Sequence, residues 1–140
     1  MRRDHFTVAA HTDRDLPTIA IAYDGPAGAL TDRFDADGVP GSDDVDAAFR
    51  LQGGPDESGT TGVLSLTRRL TGEYLLEANA PATDVLGVVR SARERDGTYR
   101  IRIVRPDADP VILEKGTLLV YDDEGSLLRQ RSLIPSGVEL

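Results

Sequence analysis

The run Val63-Leu-Ser-Leu-Thr-Arg-Arg-Leu-Thr-Gly-Glu-Tyr-Leu-Leu-Glu-Ala-Asn79 has the clearest structural pattern in this chain. Apolar and polar side chains alternate on both sides of Leu70-Thr71-Gly72, and one face collects Leu64, Leu66, Tyr74, Leu76 and Ala78. Such alternation is typical of strands that bury one face. Gly72 tolerates the positive φ that hairpin turns require. We therefore predict two antiparallel strands, at 63–69 and 73–79, joined as a hairpin.

A helix is predicted over residues 82–95, directly after this hairpin. One side of the segment is apolar at helical spacing: Val85, Leu86, Val89 and Ala92. Pro81 suits the first helical turn, where its missing N–H costs nothing. Gly97 stands where a helix-ending glycine belongs. We expect this helix to cover one face of the sheet, with Leu86 buried and Arg93 on the exposed side.

Further strands are predicted outward from this unit, at 5–10, 17–23, 45–51, 99–103, 111–121 and 127–133. The 111–121 segment is one long strand or two pieces broken at Gly116. A short helical turn is predicted at 27–34. The stretch 52–62 is predicted to be a mobile loop, because it is rich in glycine and polar residues and can bury almost nothing.

These elements predict a single α+β domain over residues 1–140. It has about eight short, mainly antiparallel strands, in one sheet or two packed sheets, and one covering helix at about 82–95. The strand–helix–strand order at 73–103 fits a right-handed crossover, which would make those two strands parallel.

The charge balance indicates a salt-rich cytoplasm. The chain has 17 Asp and 7 Glu against 15 Arg and the single lysine Lys115, for a net charge of -8. Such a chain repels itself in dilute buffer, whereas at ~1 M salt the Debye length falls to roughly 3 Å. A GC-rich genome also favours arginine over lysine, but it does not explain why aspartate outnumbers glutamate.

Three segments also resemble a small family of uncharacterised haloarchaeal proteins. They are Thr-Ile-Ala-Ile-Ala-Tyr-Asp-Gly-Pro-Ala-Gly (18–28), Leu-Thr-Gly-Glu-Tyr-Leu-Leu-Glu-Ala-Asn (70–79) and Leu-Leu-Arg-Gln-Arg-Ser-Leu-Ile-Pro-Ser-Gly-Val-Glu (127–139). The resemblance covers essentially the whole chain and implies a cytoplasm filled with potassium chloride. It implies no activity and no site residues.

Several classes of protein are excluded or disfavoured. The absence of cysteine excludes disulfides, thiolate metal sites and cysteine nucleophiles. No apolar run approaches the ~20 residues of a membrane span, and no apolar segment follows Arg2-Arg3 as an export signal would require. We therefore expect a soluble cytoplasmic protein without a membrane partner.

No motif points to catalysis or to a bound metal. Asp35-Ala-Asp37-Gly38 departs from the calcium-loop pattern, because its glycine comes fourth. His5 and His11 are the only histidines, while a zinc site takes three or four ligands. The chain has neither a Gly-x-Ser-x-Gly elbow nor a phosphate-binding loop. We predict no catalytic, cofactor-binding or metal-binding residues.

The arginines are unevenly distributed. Up to Val85 there are seven arginines and fifteen acids, whereas from Leu86 onward nine basic residues balance nine acidic ones. The candidate interaction surface in this second half is Arg90, Arg93, Arg100, Arg102, Arg129 and Arg131. The alternative is that these arginines pair with Glu77, Glu94, Asp96 or Glu114 on a solvated face. Nucleic acid is a disfavoured ligand, because molar salt weakens phosphate binding that rests on charge alone.

Two functional hypotheses remain at this point. The first is a non-catalytic binding or accessory domain that uses the arginine-bearing half to contact a macromolecular partner. The second is an enzyme with a carboxylate- or histidine-based site that the sequence does not reveal. A flat arginine-bearing surface favours the first, and a pocket with buried convergent acids favours the second.

The charge argument predicts that salt stabilises this protein. The melting temperature should rise as potassium chloride increases from dilute buffer to ~2 M, because screening removes the repulsion among surface carboxylates. Thermal unfolding followed by circular dichroism across that range measures the effect. A melting temperature that stays flat or falls would contradict the prediction.

Overall fold

The computed structural model describes residues 3–13, 15–35, 38–54 and 57–135. Eight strands lie in this part of the chain: β1 (Phe6–His11), β2 (Thr18–Tyr23), β3 (Val45–Leu51), β4 (Thr61–Arg68), β5 (Tyr74–Pro81), β6 (Tyr99–Arg105), β7 (Ala108–Lys115) and β8 (Leu119–Tyr121). The helices there are α1 (Ala29–Asp35) and α2 (Ala82–Arg93). The predicted α+β fold class is confirmed. Neither helix in these ranges is long and apolar enough to cross a membrane.

The strands form two sheets of four. Sheet A has the order β1-β2-β6-β7, and sheet B has the order β5-β4-β3-β8. Neighbouring strands are antiparallel, except that β2 runs parallel to β6 and β3 runs parallel to β8. The predicted parallel pairing across the 73–103 crossover is wrong. The helix α2 carries the chain from sheet B to sheet A, so β5 and β6 lie in different sheets.

The central hairpin is confirmed as β4 and β5. Leu66 lies opposite Leu76, and Gly72 adopts a φ of 74° in the turn. The predicted position of Tyr74 on the buried face is wrong, because its exposed fraction is 52%. The pairing shifts register after Leu66, so Leu75 is an extra residue of β5 that is buried while Tyr74 turns outward. A β-bulge of this kind reverses the alternation on one side of it.

The predicted helix is confirmed as α2, which ends two residues earlier than expected. Pro81 precedes the helix as an extended cap and also ends β5, so no loop separates the two elements. Gly97 has a φ of 82°, and its N–H donates to the carbonyl of Ala92. The apolar side of α2 joins the same buried cluster as the inward residues of both sheets, including Leu86. This helix therefore covers the inner face of sheet A.

The short helical turn expected at 27–34 is confirmed as α1, and the 52–62 segment is partly organised. The Thr60 hydroxyl donates to the carbonyls of Gly54 and Glu57, and β4 begins at Thr61. Pro55 and Asp56 lie outside the described residues. The mobility of this loop stays a prediction.

The predicted strand at 127–133 is wrong. A 3-10 turn occupies Arg129–Arg131, between isolated bridges that pair Leu127 with Tyr121 and Leu133 with Leu118. The Ser132 hydroxyl accepts from the Val120 N–H and donates to the Leu128 carbonyl. These side-chain hydrogen bonds take the place of strand pairing. The segment therefore finds partners for its backbone groups without adopting a fully extended conformation. The break at Gly116 is confirmed, since β7 and β8 belong to different sheets.

The single lysine connects the two sheets. Lys115 ends β7 of sheet A, and its Nζ donates to the carbonyls of Ser42 and Val45, each 2.7 Å away, where β3 of sheet B begins. The Ser42 hydroxyl in turn accepts the Glu114 N–H at 3.0 Å. Burial lowers the pKa of Lys115, because leaving water disfavours the ammonium form. A compact ammonium fits between two carbonyls, whereas a planar guanidinium is too broad.

We predict that Lys115→Met lowers the free energy of unfolding by about 3 kcal/mol, because it leaves two carbonyls without their charged donor. Lys115→Arg should recover little of that loss, since it keeps the charge but not the shape. Arg102→Met, which removes a cation from the outer face of the same sheet, should change stability by less than about 0.5 kcal/mol. Urea unfolding of the three variants measures these differences. Wild-type stability in Lys115→Met or in Lys115→Arg would refute the role of this contact.

Candidate interaction surfaces

The outer face of sheet A is open and carries two of the predicted arginines. Strand alternation turns Tyr99, Ile101 and Ile103 into the core and leaves Arg100 and Arg102 outside, half-buried. Arg100 lies opposite Thr18 on β2 and Glu114 on β7, and Arg102 lies opposite Ala20 and Ile112.

Small and apolar side chains surround these arginines. The outward positions of β1 and β2 include Thr7, Ala9, Ala20 and Ala22. Val104 and Ile112 stand beside them, with exposed fractions of 36% and 47%. Among the outward residues of the four strands, Glu114 is the acid that borders Arg100. This face is therefore largely apolar, and it carries two arginines in a chain whose net charge is -8.

The two arginines differ in their contacts. Arg100 lies 3.4 Å from the Asp15 carboxylate. The Leu16 backbone N–H and the Arg100 guanidinium hold the pKa of Asp15 below its usual value. Arg102 forms no hydrogen bond or ion pair within the described part of the chain. Its guanidinium is thus available to a group outside the protein.

The other four predicted arginines lie beside α2 and the 3-10 turn. Arg90 and Arg93 come from α2, and Arg129 and Arg131 begin and end the turn. Together with Leu86, Val89 and Gln130, three of them line a hollow of about 270 Å³: Arg90, Arg93 and Arg131. Because α2 packs on the inner face of sheet A, this cluster lies on the opposite side of the sheet from Arg102. The six arginines therefore form two surfaces rather than one.

Arg93 has a structural role that its sequence position does not show. Its guanidinium donates to the carbonyls of Gln130, at 2.6 Å, of Arg129, at 3.3 Å, and of Ser132. The side chain is exposed as predicted, yet it holds the 3-10 turn against the end of α2. Alternation and helical spacing could not reveal this contact, because its acceptors are backbone atoms of a segment that the sequence predicted to be a strand.

The expected pairing of the arginines with Glu77, Glu94, Asp96 and Glu114 is not what the described residues show. Ion pairs there join Arg69 to Asp46 at 3.0 Å, Arg100 to Asp15 at 3.4 Å and Arg105 to Asp35 at 3.6 Å. Seven of the fourteen arginine and lysine side chains in the described residues donate to backbone carbonyls instead. Besides Arg93 and Lys115, these are Arg33, Arg50, Arg68, Arg95 and Arg105.

The outer face of sheet B forms a trough of about 590 Å³ that the sequence analysis did not predict. Its floor is made of small side chains at paired positions of β3 and β4: Ala48, Val63, Ser65 and Thr67. Arg3, Tyr74 and Glu77 stand along the β5 side, while Arg50, Gln52 and Asp123 stand along the other. The sequence does contain small residues at the outward positions of these strands. They form the floor of a trough only because residues from distant segments line its two sides.

Two carboxylates of adjacent acidic pairs, Asp44 and Asp122, accept hydrogen bonds within turns. Asp44 Oδ2 accepts the Gly41 N–H at 2.9 Å. Asp122 Oδ1 accepts the N–H groups of Glu124 and Ser126 at 2.9 and 2.8 Å. No cluster of three or more metal-ligating side chains occurs among residues 3–13, 15–35, 38–54 and 57–135. Asp37 of the acidic loop lies outside these residues.

The chain belongs to a family described as a family of unknown function (DUF5793), whose model matches residues 1–140. No curated protein and no solved structure matches the chain. The predicted resemblance to a family without known activity is thereby supported over the full length.

The geometry at the 3-10 turn predicts that Arg93 stabilises the fold. Arg93→Ala should lower the free energy of unfolding by about 2 kcal/mol, because hydrogen bonds from a charged donor to three carbonyls are lost. Arg90→Ala, one turn earlier on the same helix, should cost less than about 0.5 kcal/mol. Chemical denaturation of both variants provides the comparison, and equal effects would show that the Arg93 contacts contribute nothing.

Proposed function

We propose that this chain is a non-catalytic interaction domain of a salt-rich haloarchaeal cytoplasm, and that the outer face of sheet A binds an acidic protein partner. The observation that supports this most strongly is the composition of that face. Ala9, Ala20, Ala22, Val104 and Ile112 leave a continuous apolar area on a chain whose net charge is -8.

Uncovered apolar area of this kind is typical of protein–protein contact sites. A solvated sheet face usually carries long polar side chains, whereas three alanines on neighbouring central and edge strands leave a flat floor. A flat floor admits the backbone and side chains of a second protein closely. Arg102, which has no partner within the described residues, stands in the middle of the apolar area opposite Ile112.

Charge complementarity specifies the partner. Arg102, which has no partner within the described residues, is matched by a carboxylate that borders an apolar patch on the other protein. Salt weakens charge-based contacts but not apolar burial, so a surface that combines both suits a salt-rich compartment. Nucleic acid fits less well, because two arginines provide few phosphate contacts and molar salt weakens those.

Site-specific photo-crosslinking tests this proposal. Benzoylphenylalanine in place of Ala22 puts the probe on the outer face of sheet A, and the same residue in place of Asn79 puts a matched probe on the outer face of sheet B. Both proteins are irradiated in extract of the source cells at native salt, and mass spectrometry identifies the adducts and the crosslinked peptides.

We expect the Ala22 probe, and not the Asn79 probe, to label a separate polypeptide at a segment where acidic residues border apolar ones. Replacing both Arg100 and Arg102 by Ser should reduce the adduct roughly tenfold and leave the melting temperature nearly unchanged, because exposed ion pairs contribute at most ~1 kcal/mol. Adducts only with a second copy or with nucleic acid, equal labelling from both probes, or no adduct would each overturn the proposal.

A further inference from the structure

We propose that the trough on the outer face of sheet B binds a short uncharged oligosaccharide. The trough is separate from the outer face of sheet A, so this inference is independent of the proposed partner surface. Its volume of about 590 Å³ lies in the usual range for small-molecule sites and accommodates two or three sugar rings.

The charges of the trough point to a ligand without net charge. Arg3 lies on the same side of the trough as Glu77, and Arg50 lies on the same side as Asp123. Asp46 also lines the trough and is paired with Arg69. Three cations thus stand among three carboxylates. The carboxylates repel an anionic ligand and the guanidinium groups repel a cationic one, so neither kind of ligand gains net attraction.

The polar groups that line the trough include both donors and acceptors. Ser65, Thr67 and Glu77 form no side-chain hydrogen bonds within the described part of the chain. Arg50 uses one guanidinium nitrogen on the Asp123 carbonyl at 3.1 Å, which fixes the side chain and leaves other donors free. Neighbouring hydroxyl groups of a sugar both donate and accept, so they match guanidinium and carboxylate groups together.

Tyr74 provides an aromatic surface at the β5 side. The bulge at Leu75 turns this ring outward, where its exposed fraction is 52%. A tyrosine ring offers apolar area with little loss of side-chain freedom on binding, and the C–H face of a pyranose ring is apolar enough to cover it. The small floor residues Ala48 and Ser65 leave room for a flat ring between the walls.

A peptide suits this trough less well. The floor belongs to β3 and β4, which lie inside sheet B and pair on both sides. Their backbone groups are therefore not available to add a strand, and the trough has no deep apolar pocket for a side-chain anchor. The usual modes of peptide recognition need one or the other.

Titration by NMR with maltotriose, cellotriose, chitotriose and an uncharged tetrapeptide tests the inference at native salt. We expect at least one trisaccharide to shift the backbone amides of β3, β4 and β5 and to leave those of β6 and β7 unchanged. Tyr74→Ala should weaken this binding about tenfold, and Ser65→Leu, which fills the floor, should abolish it. Ala20→Leu on the outer face of sheet A is the matched control and should bind like wild type.

Folding of each variant is checked by its amide spectrum, so a loss of binding is separated from a loss of structure. Binding of the tetrapeptide but of no saccharide would overturn the inference. So would the absence of shifts with every probe, shifts that map to sheet A, or saccharide binding that Ser65→Leu leaves intact.

Discussion

Hydrogen bonds from cations to backbone carbonyls hold the irregular segments of this structure to its strands and to α2. Lys115 joins the end of β7 to the start of β3, and Arg93 binds the 3-10 turn to α2. Arg68 does the same for the end of α1, and Arg95 for the segment before β2. A carbonyl carries no net charge and its position is fixed by the backbone, so added salt weakens these hydrogen bonds less than it weakens ion pairs between exposed side chains.

Because many cations are used in these contacts, they also determine which charged groups are left on the surface. Because six arginines donate to carbonyls and few ion pairs join the described residues, several acids accept hydrogen bonds in turns instead, as Asp44 and Asp122 do. Arg102 is an exception on the outer face of sheet A, where alanines and Ile112 replace the expected polar residues. The two outer sheet faces thus differ in kind. The outer face of sheet A is flat and apolar around Arg102, while the outer face of sheet B is a trough lined by both arginines and carboxylates.

The spacing of apolar residues in the sequence was sufficient to predict the elements whose structure depends on their own side chains. The β4–β5 hairpin, α2 and the alternation in β6 follow from periodicity, which also identified Arg100 and Arg102 as outward. Pattern failed where a contact from far along the chain decided the outcome. The bulge at Leu75, the turn at Arg129–Arg131 and the role of Arg93 each depend on packing or on acceptors that the local sequence does not contain. The assignment of β5 and β6 to separate sheets, and the walls of the trough, are likewise properties of the assembled fold.

The cations of this protein divide into those that maintain the fold and those that face outward for recognition. Modification of arginines by phenylglyoxal at native salt, followed residue by residue with mass spectrometry, measures this division in one experiment. Arg102, without a partner in the described chain, should react well before Arg93, which binds three carbonyls, and before Arg105, whose side chain is 6% exposed. Unfolding should make the three rates equal. If Arg93 reacts as fast as Arg102 in the folded protein, the carbonyl contacts do not hold it and the account is contradicted.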